Sequence, residues 1–289
     1  MKDNHLKIRT ARLSIFSNTL LIILKVISGI LSGSVSIISE AIHSSLDLLA
    51  AIIAFFSVKI SGSAPDEKHP YGHGKFENFS GVIEAFLILI ASGWIIFEAV
   101  KRFGVVSEIE HIEVGMAVMF VSSVVNLLVS RRLYKVAKLT DSIALEADAL
   151  HLKADVYTSL GVAVGLLLIL ITDLHIIDPI IAIMVAIFII KEAIELLRKA
   201  YSPLLDTGLS DGEKLIIEQN IGIRLTEGMS FHRLRTRKSG HIKYVDFHLE
   251  VPSDYSVKQA HDLCDLIEDD LKKLFPYIEI DIHTEPLEV

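Results

Sequence analysis

Apolar residues gather in six long runs, near Leu13–Leu31, Val35–Val58, Phe79–Phe97, Ile112–Val129, Ala147–Ile171 and Leu174–Leu197. Each is close to the roughly 20 residues that a helix needs to cross a bilayer. The pattern changes after Leu204. Ser210 followed by Glu213, and Ser256 followed by Gln259, have the spacing of a capping box and open helical patterns at about 210–222 and 256–274. Two strand-like runs, 229–237 and 242–251, lie between them, joined by a turn at Ser239-Gly240. A final alternating run spans Ile278–His283, and Pro203 and Gly208 mark the linker. The pattern therefore predicts an α-helical membrane bundle of six transmembrane helices over 1–204. It predicts a C-terminal α+β domain, ordered αββαβ like a ferredoxin fold, over 205–289.

Charge divides the chain at the same place. Up to Leu204 there are 18 Lys/Arg and 19 Asp/Glu; after it there are 10 and 17, so the net charge of −8 sits almost wholly in the tail. An acidic chain that is 51% hydrophobic offers no basic surface for phosphate, so no nucleic-acid partner is expected. A single cysteine, Cys264, excludes an internal disulfide and any CxxC motif. The first run is interrupted by Lys25 and lacks an A-x-A site, so a cleavable signal peptide is not expected. Lys and Arg cluster at the N-terminus (Lys2, Lys7, Arg9, Arg12) and in the links after the second and fourth runs. With Arg198 and Lys199 they predict a multi-pass protein of the cell (inner) membrane, both termini cytoplasmic. Gly29/Gly33 and Gly161/Gly165 have a spacing that lets helices approach closely, although glycine is also common in such helices.

Ionisable residues inside the runs carry the chemistry. The second run holds His43 and Asp47 and the fifth His151 and Asp155, each pair at i,i+4 and so on one helix face. A charge at the middle of a lone span costs roughly 2.5–3.5 kcal/mol. A divalent cation between the helices removes that cost, because two carboxylates and two imidazoles complete a four-ligand set. The bland alternative is that each His–Asp pair hydrogen-bonds within its own helix. Lys153, two residues from both His151 and Asp155, points to another side of its helix. Glu40 and Asp148 could reach the same neighbourhood, but near a span end they read as solvated or hydrogen-bonded. Asn18, Glu84 and Asn126 read as interhelical hydrogen-bond partners, and Lys25 as snorkelling or paired with an acid.

Six spans, two H-x-x-x-D motifs in the second and fifth, and an acidic His-rich tail resemble the cation diffusion facilitator family. Gly33–Glu40 before His43, the loop His69-Pro70-Tyr71-Gly72-His73-Gly74-Lys75, and His232–Arg237 in the tail resemble its bacterial ferrous-iron/zinc efflux branch. The resemblance covers nearly the whole chain. It implies a homodimeric transporter, not an enzyme, that exports divalent metal ions, Zn2+ foremost, from the cytoplasm in exchange for protons, with lipid around its spans.

By the same resemblance His43, Asp47, His151 and Asp155 form the transport site. Asp66, His69 and His73 form a peripheral zinc site, and His232, His248, His261, His283 and Glu285 a metal pair at the tail dimer interface. Alternation supports part of the last set, since His248 shares a face with Asp246 and Glu250, opposite Val245, Phe247, Leu249 and Val251. Glu285 stands where that branch has an Asp. Lys75 and Asp206 match a salt bridge between membrane and tail domains. Competing expectations are export of Fe2+, Cd2+, Co2+ or Mn2+, a membrane-embedded metal sensor without transport, and a membrane metalloenzyme. The last would need an open metal position and a general base, and no H-E-x-x-H occurs.

Overall fold

The computed structural model describes residues 2–32, 35–101, 112–172 and 176–287. Within them, the side chains of residues 2, 29, 32, 35–40, 42, 43, 46, 112–116, 119, 162, 163, 165–167, 169, 170 and 178 lie outside the described residues, as do His111 and His175 entirely. Gly29, Gly33, Glu40 and Gly165 therefore fall outside as well, and so does the His43 side chain, although its backbone is helical.

Contacts divide the chain into two units, Met1–Tyr201 and Ser202–Val289. The first holds α1 (Lys2–Ser32), α2 (Val35–Ser61), α3 (Lys75–Lys101), α4 (Ile112–Thr140), α5 (Ile143–Thr172) and α6 (Ile177–Tyr201). At 1.5 Å rise per residue these helices are about 38–47 Å long, enough for a hydrocarbon core of roughly 30 Å. Among the described residues, α1 over Asp3–Ser28 and α3 over Lys75–Lys101 are long and apolar enough to cross a membrane by length and composition alone.

Helices run beyond the apolar stretches that foretold them. α1 begins at Lys2 rather than near Leu13, and α4 continues to Thr140 rather than Val129. The apolar run marks where lipid begins, not where backbone hydrogen bonding stops. The extensions have a core of their own, in which Ala11, Val58, Leu133, Val136, Ala144 and Leu145 are buried together. A second cluster joins α3, α5 and α6 through Ala85, Ile88, Ala147, Ile189, Ala193 and Leu196. Small residues permit these approaches. A Cβ at Gly161 would stand 2.9 Å from Val185 Cγ2 on α6, and one at Gly81 would stand 3.1 Å from Ala200 Cβ.

One polar cluster ties four helices. Lys7 on α1 pairs with Glu77 on α3 at 2.9 Å, with only 4% and 1% of the side chains exposed. Ser61 at the end of α2 donates to Glu77 Oε1 at 2.7 Å. Ser142, just before α5, donates to Oε2.

The second unit opens with a 3-10 turn, Ser202–Leu205, followed by α7 (Asp211–Arg224), β1 (Ser230–Ser239), β2 (Ile242–Val251), α8 (Val257–Leu274) and β3 (Ile278–Pro286). Both capping boxes form, at Ser210 with Glu213 and at Ser256 with Gln259. β2 is central, antiparallel to β1 and parallel to β3, the parallel pair being connected through α8. Val245, Phe247, Leu249 and Val251 point to one face, where α7 supplies Ile217 and Ile221 and α8 supplies Cys264, Ile267 and Leu271.

β1 departs from regular alternation. The register slips by one between His232 and Arg235, where Arg233 adopts φ +53°. This bulge lets Phe231 and Leu234, three residues apart, both pack on the core, while His232 stays on the other face beside His248.

Candidate metal centre

The i,i+4 spacing on α5 places His151 and Asp155 on one face, and α2 brings Asp47 to meet them. His151 Nε2 lies 2.9 Å from Asp47 Oδ1, with side chains 11% and 8% exposed. Asp47, His151 and Asp155 can each offer one ligand atom within 4.8 Å of the others. The H-x-x-x-D pairs are thus not confined to their own helices, because His151 reaches across to the other one. The other ring nitrogen of His151, Nδ1, has no hydrogen-bond partner among the described residues. Asn18 on α1 buttresses the site by donating from Nδ2 to the Asp47 carbonyl at 3.4 Å. Lys153 points elsewhere, 3.6 Å from Glu192 on α6.

Of the two readings of Asp148, solvated or hydrogen-bonded, the structure shows the second. The residue is fully buried and accepts a hydrogen bond from Ser14 at 3.1 Å, because α1 covers that turn of α5. Lys25 does not snorkel; it is 4% exposed and donates to Ser44 at 2.6 Å, since α2 covers that part of α1. Glu84 and Asn126, read as hydrogen-bond partners, are buried, but neither Glu84 oxygen nor Asn126 Oδ1 has a partner among the described residues.

A second cluster lies in the loop after α2. The Asp66 carboxylate accepts from the backbone N–H of His69 at 2.7 Å and of Lys68 at 2.9 Å, which folds the loop back on itself. It also meets His69 Nδ1 at 3.1 Å and His73 Nε2 at 3.3 Å. The backbone N–H of His69 is the leading cause holding this carboxyl below its ordinary range. All three residues can present ligand atoms within 4.8 Å of one another.

The third cluster is built by strand register. His232, His248 and His283 are successive partners across β1, β2 and β3, and Ser230, Glu250 and Glu285 form the adjacent row. Glu285 lies 3.1 Å from His232 Nε2 and 3.3 Å from His248 Nδ1. His232, His248 and Glu285 meet the same 4.8 Å criterion, while His283 Nε2 is 3.7 Å from Glu285. Glu250, not foreseen as part of this set, lies 3.7 Å from His232 Nδ1 and accepts from Ser230. Its place was visible in the alternation that put it beside His248. His261 is not brought to the row. It stands on α8, which covers the opposite face, 71% exposed and 3.7 Å from Asp265. Asp206 lies 3.7 Å from Arg237 within the tail unit.

Residues 11–205 match the model of the cation efflux transmembrane domain. The chain belongs to the cation efflux family, the cation diffusion facilitators. Residues 219–287 match the cytoplasmic domain of cation efflux proteins. Among relatives, an uncharacterized transporter of Synechocystis sp., sll1263, is 34% identical over 89% of this chain and 83% of its own. The manganese efflux system protein MneP of Bacillus subtilis is 29% identical over 96% and 95%. The cation-efflux pump FieF of Shewanella oneidensis is 28% identical over 96% and 94%. A solved CzrB chain is 35% identical and covers 28% of this chain and 100% of its own, with a TM-score of 0.27. This family member is therefore a membrane transporter that exports divalent cations, not an enzyme, with a helical membrane domain and an α+β tail.

Proposed function

We propose that the transported ion is Zn2+, held between α2 and α5 by Asp47, His151 and Asp155 with His43 as fourth ligand, and exported in exchange for protons by alternating access. The observation that carries this reading is the convergence of three donors from two helices, Asp47 buried and His151 and Asp155 half-buried, within 4.8 Å of one another. Two carboxylates neutralise a dication, and imidazole favours zinc over harder ions. A ligating imidazole must be deprotonated and a carboxylate ionised, so protons compete with the metal for the same atoms. Protonation of the outward-facing site releases the metal, and deprotonation on the cytoplasmic side prepares it for the next ion.

The chain works as a homodimer in the cell (inner) membrane, surrounded by lipid, with both termini cytoplasmic and 205–289 as its cytoplasmic metal-binding and dimerisation domain. Asp66, His69 and His73 hold a peripheral Zn2+, and His232, His248, His283 and Glu285 hold metal in the tail, with His261 contributed toward the partner. The acidic tail raises the local cation concentration at the inward opening. A Mn2+ cargo is the second reading, favoured by the likeness to a manganese efflux protein.

Liposomes containing the purified protein test both. Zn2+ should move against an opposing proton gradient, faster than Mn2+, Cd2+ or Fe2+ in one preparation. The double variant Asp47→Ala, Asp155→Ala should abolish flux. Undiminished flux in that variant refutes the site, and preference for Mn2+ refutes the choice of zinc.

A further inference from the structure

Helix α1 supplies no ligand to the candidate metal centre, yet a buried polar stripe along it meets the turns that do. Ser14, Asn18 and Lys25 recur at helical spacing on one face and are 0%, 3% and 4% exposed. Ser14 donates to Asp148 at 3.1 Å, one turn before His151 on α5. Asn18 donates to the carbonyl of Asp47 itself at 3.4 Å. Lys25 donates to the buried hydroxyl of Ser44 at 2.6 Å, one turn before Asp47 on α2. Residues three apart on a helix have Cβ atoms about 5–6 Å from one another, so the Lys25 ammonium stands within about 10 Å of the Asp47 carboxylate.

Lysine is a costly way to join two helices. A buried ammonium must be desolvated, and apolar side chains of similar volume hold packed elements together at lower cost. What the charge suits is the chemistry beside it. A site that gives up its cargo in every cycle leaves the Asp47 and Asp155 carboxylates close together without their dication. A fixed cation one turn away lowers the energy of that empty site. Once a dication and two carboxylates neutralise one another, the same cation gains nothing from them. The empty site is thereby favoured relative to the loaded one, and affinity falls. Transit needs this balance, since an ion must bind well enough to enter and weakly enough to leave.

We infer that Lys25 sets the affinity of the transport site: its positive charge, held against α2, weakens the grip of Asp47, His151 and Asp155 on a divalent ion and speeds release. The inference rests on the reading of those three residues as the cargo site. Coulomb's law for a unit charge about 10 Å from a dication gives a weakening of roughly ten- to three-hundred-fold at effective dielectrics of about 40 to 20. Lys25 touches no metal and transfers no proton in this scheme.

Zn2+ flux through liposomes holding the full-length protein reads the effect. The half-saturating Zn2+ concentration should fall about tenfold or more in Lys25→Met, and maximal flux should fall with it as release slows. Lys25→Gln is neutral but still able to donate to Ser44; it should behave alike, and it stands in for Lys25→Met if that protein does not fold. Lys25→Arg keeps the charge and should stay near the unaltered protein. A merely structural lysine would give neutral variants with less flux and an unchanged or poorer half-saturation. Half-saturation that is unchanged or raised in the neutral variants therefore overturns the inference, as does an equal fall in Lys25→Arg. Undiminished flux in the Asp47→Ala, Asp155→Ala variant refutes the cargo site itself. Loss of flux there, with no gain of affinity in the neutral Lys25 variants, refutes the role of Lys25 alone.

Discussion

Replacing Glu77 by Gln should destabilise the membrane unit out of proportion to the single atom changed. Glu77 is 1% exposed and receives Lys7 at 2.9 Å, Ser61 at 2.7 Å and Ser142 on its second oxygen. Gln keeps one acceptor for Lys7 and Ser61, and the Ser142 hydroxyl can rotate to accept from the new amide. What it cannot keep is the negative charge, so the Lys7 ammonium is left buried and uncompensated. One-sided loss of a buried pair costs roughly 3–5 kcal/mol. At about 2–4 °C per kcal/mol for a unit of this size, the melting temperature should fall by roughly 6–20 °C. Lys7→Met should cost a similar amount. Combining the two removes both charges and should recover most of the loss. The assay is thermal unfolding in detergent followed by far-ultraviolet circular dichroism on the four proteins of the cycle. If the single losses simply add in the double variant, Lys7 and Glu77 are not coupled and the account of this cluster is wrong.

Two further outcomes are expected from the tail. Ser256→Ala removes the hydroxyl that accepts from the Gln259 N–H and should cost about 0.5–2 kcal/mol, read as an earlier denaturant midpoint of the tail transition; an unchanged midpoint refutes the cap. Asp270 is held below its ordinary range first by Lys273 and then by Arg224, so its contribution is present above the unfolded value of about 3.9 and is lost as pH falls through the lower folded value. Asp270→Asn should therefore cost stability at pH near 7 and little at pH near 2; an equal cost at both refutes the pairing.

The architecture was largely legible because its signals are local. Six apolar runs and two Ser-led capping boxes announce their helices within a few residues of at least one end. The meeting of Asp47, His151 and Asp155 was legible because a charge within an apolar run is costly unless something compensates it, and the H-x-x-x-D motifs pointed to α2 and α5. What sequence did not show depends on partners far along the chain. Glu77 lies outside the apolar stretch beginning at Phe79, and its burial follows from α1, the end of α2 and the start of α5 meeting beside it. Asp148 and Lys25 are covered by neighbouring helices, which no local pattern around either residue reveals. Glu250 shares a face with His248 by alternation, but its approach to His232 on β1 follows from strand register.

The extra residue at Arg233 binds the chemistry of the tail to its fold. From Arg235 backward, an unbroken strand would carry Phe231 outward and His232 into the core. With the bulge, the odd and even positions exchange roles on its N-terminal side, and both land where they belong. Straightening the strand with every residue kept would expose an aromatic ring and bury an imidazole in the same step. Histidine-row occupancy and hydrophobic packing in this domain are thus set by a single parity, so the tail cannot lose one by a change of reading frame along the strand and retain the other.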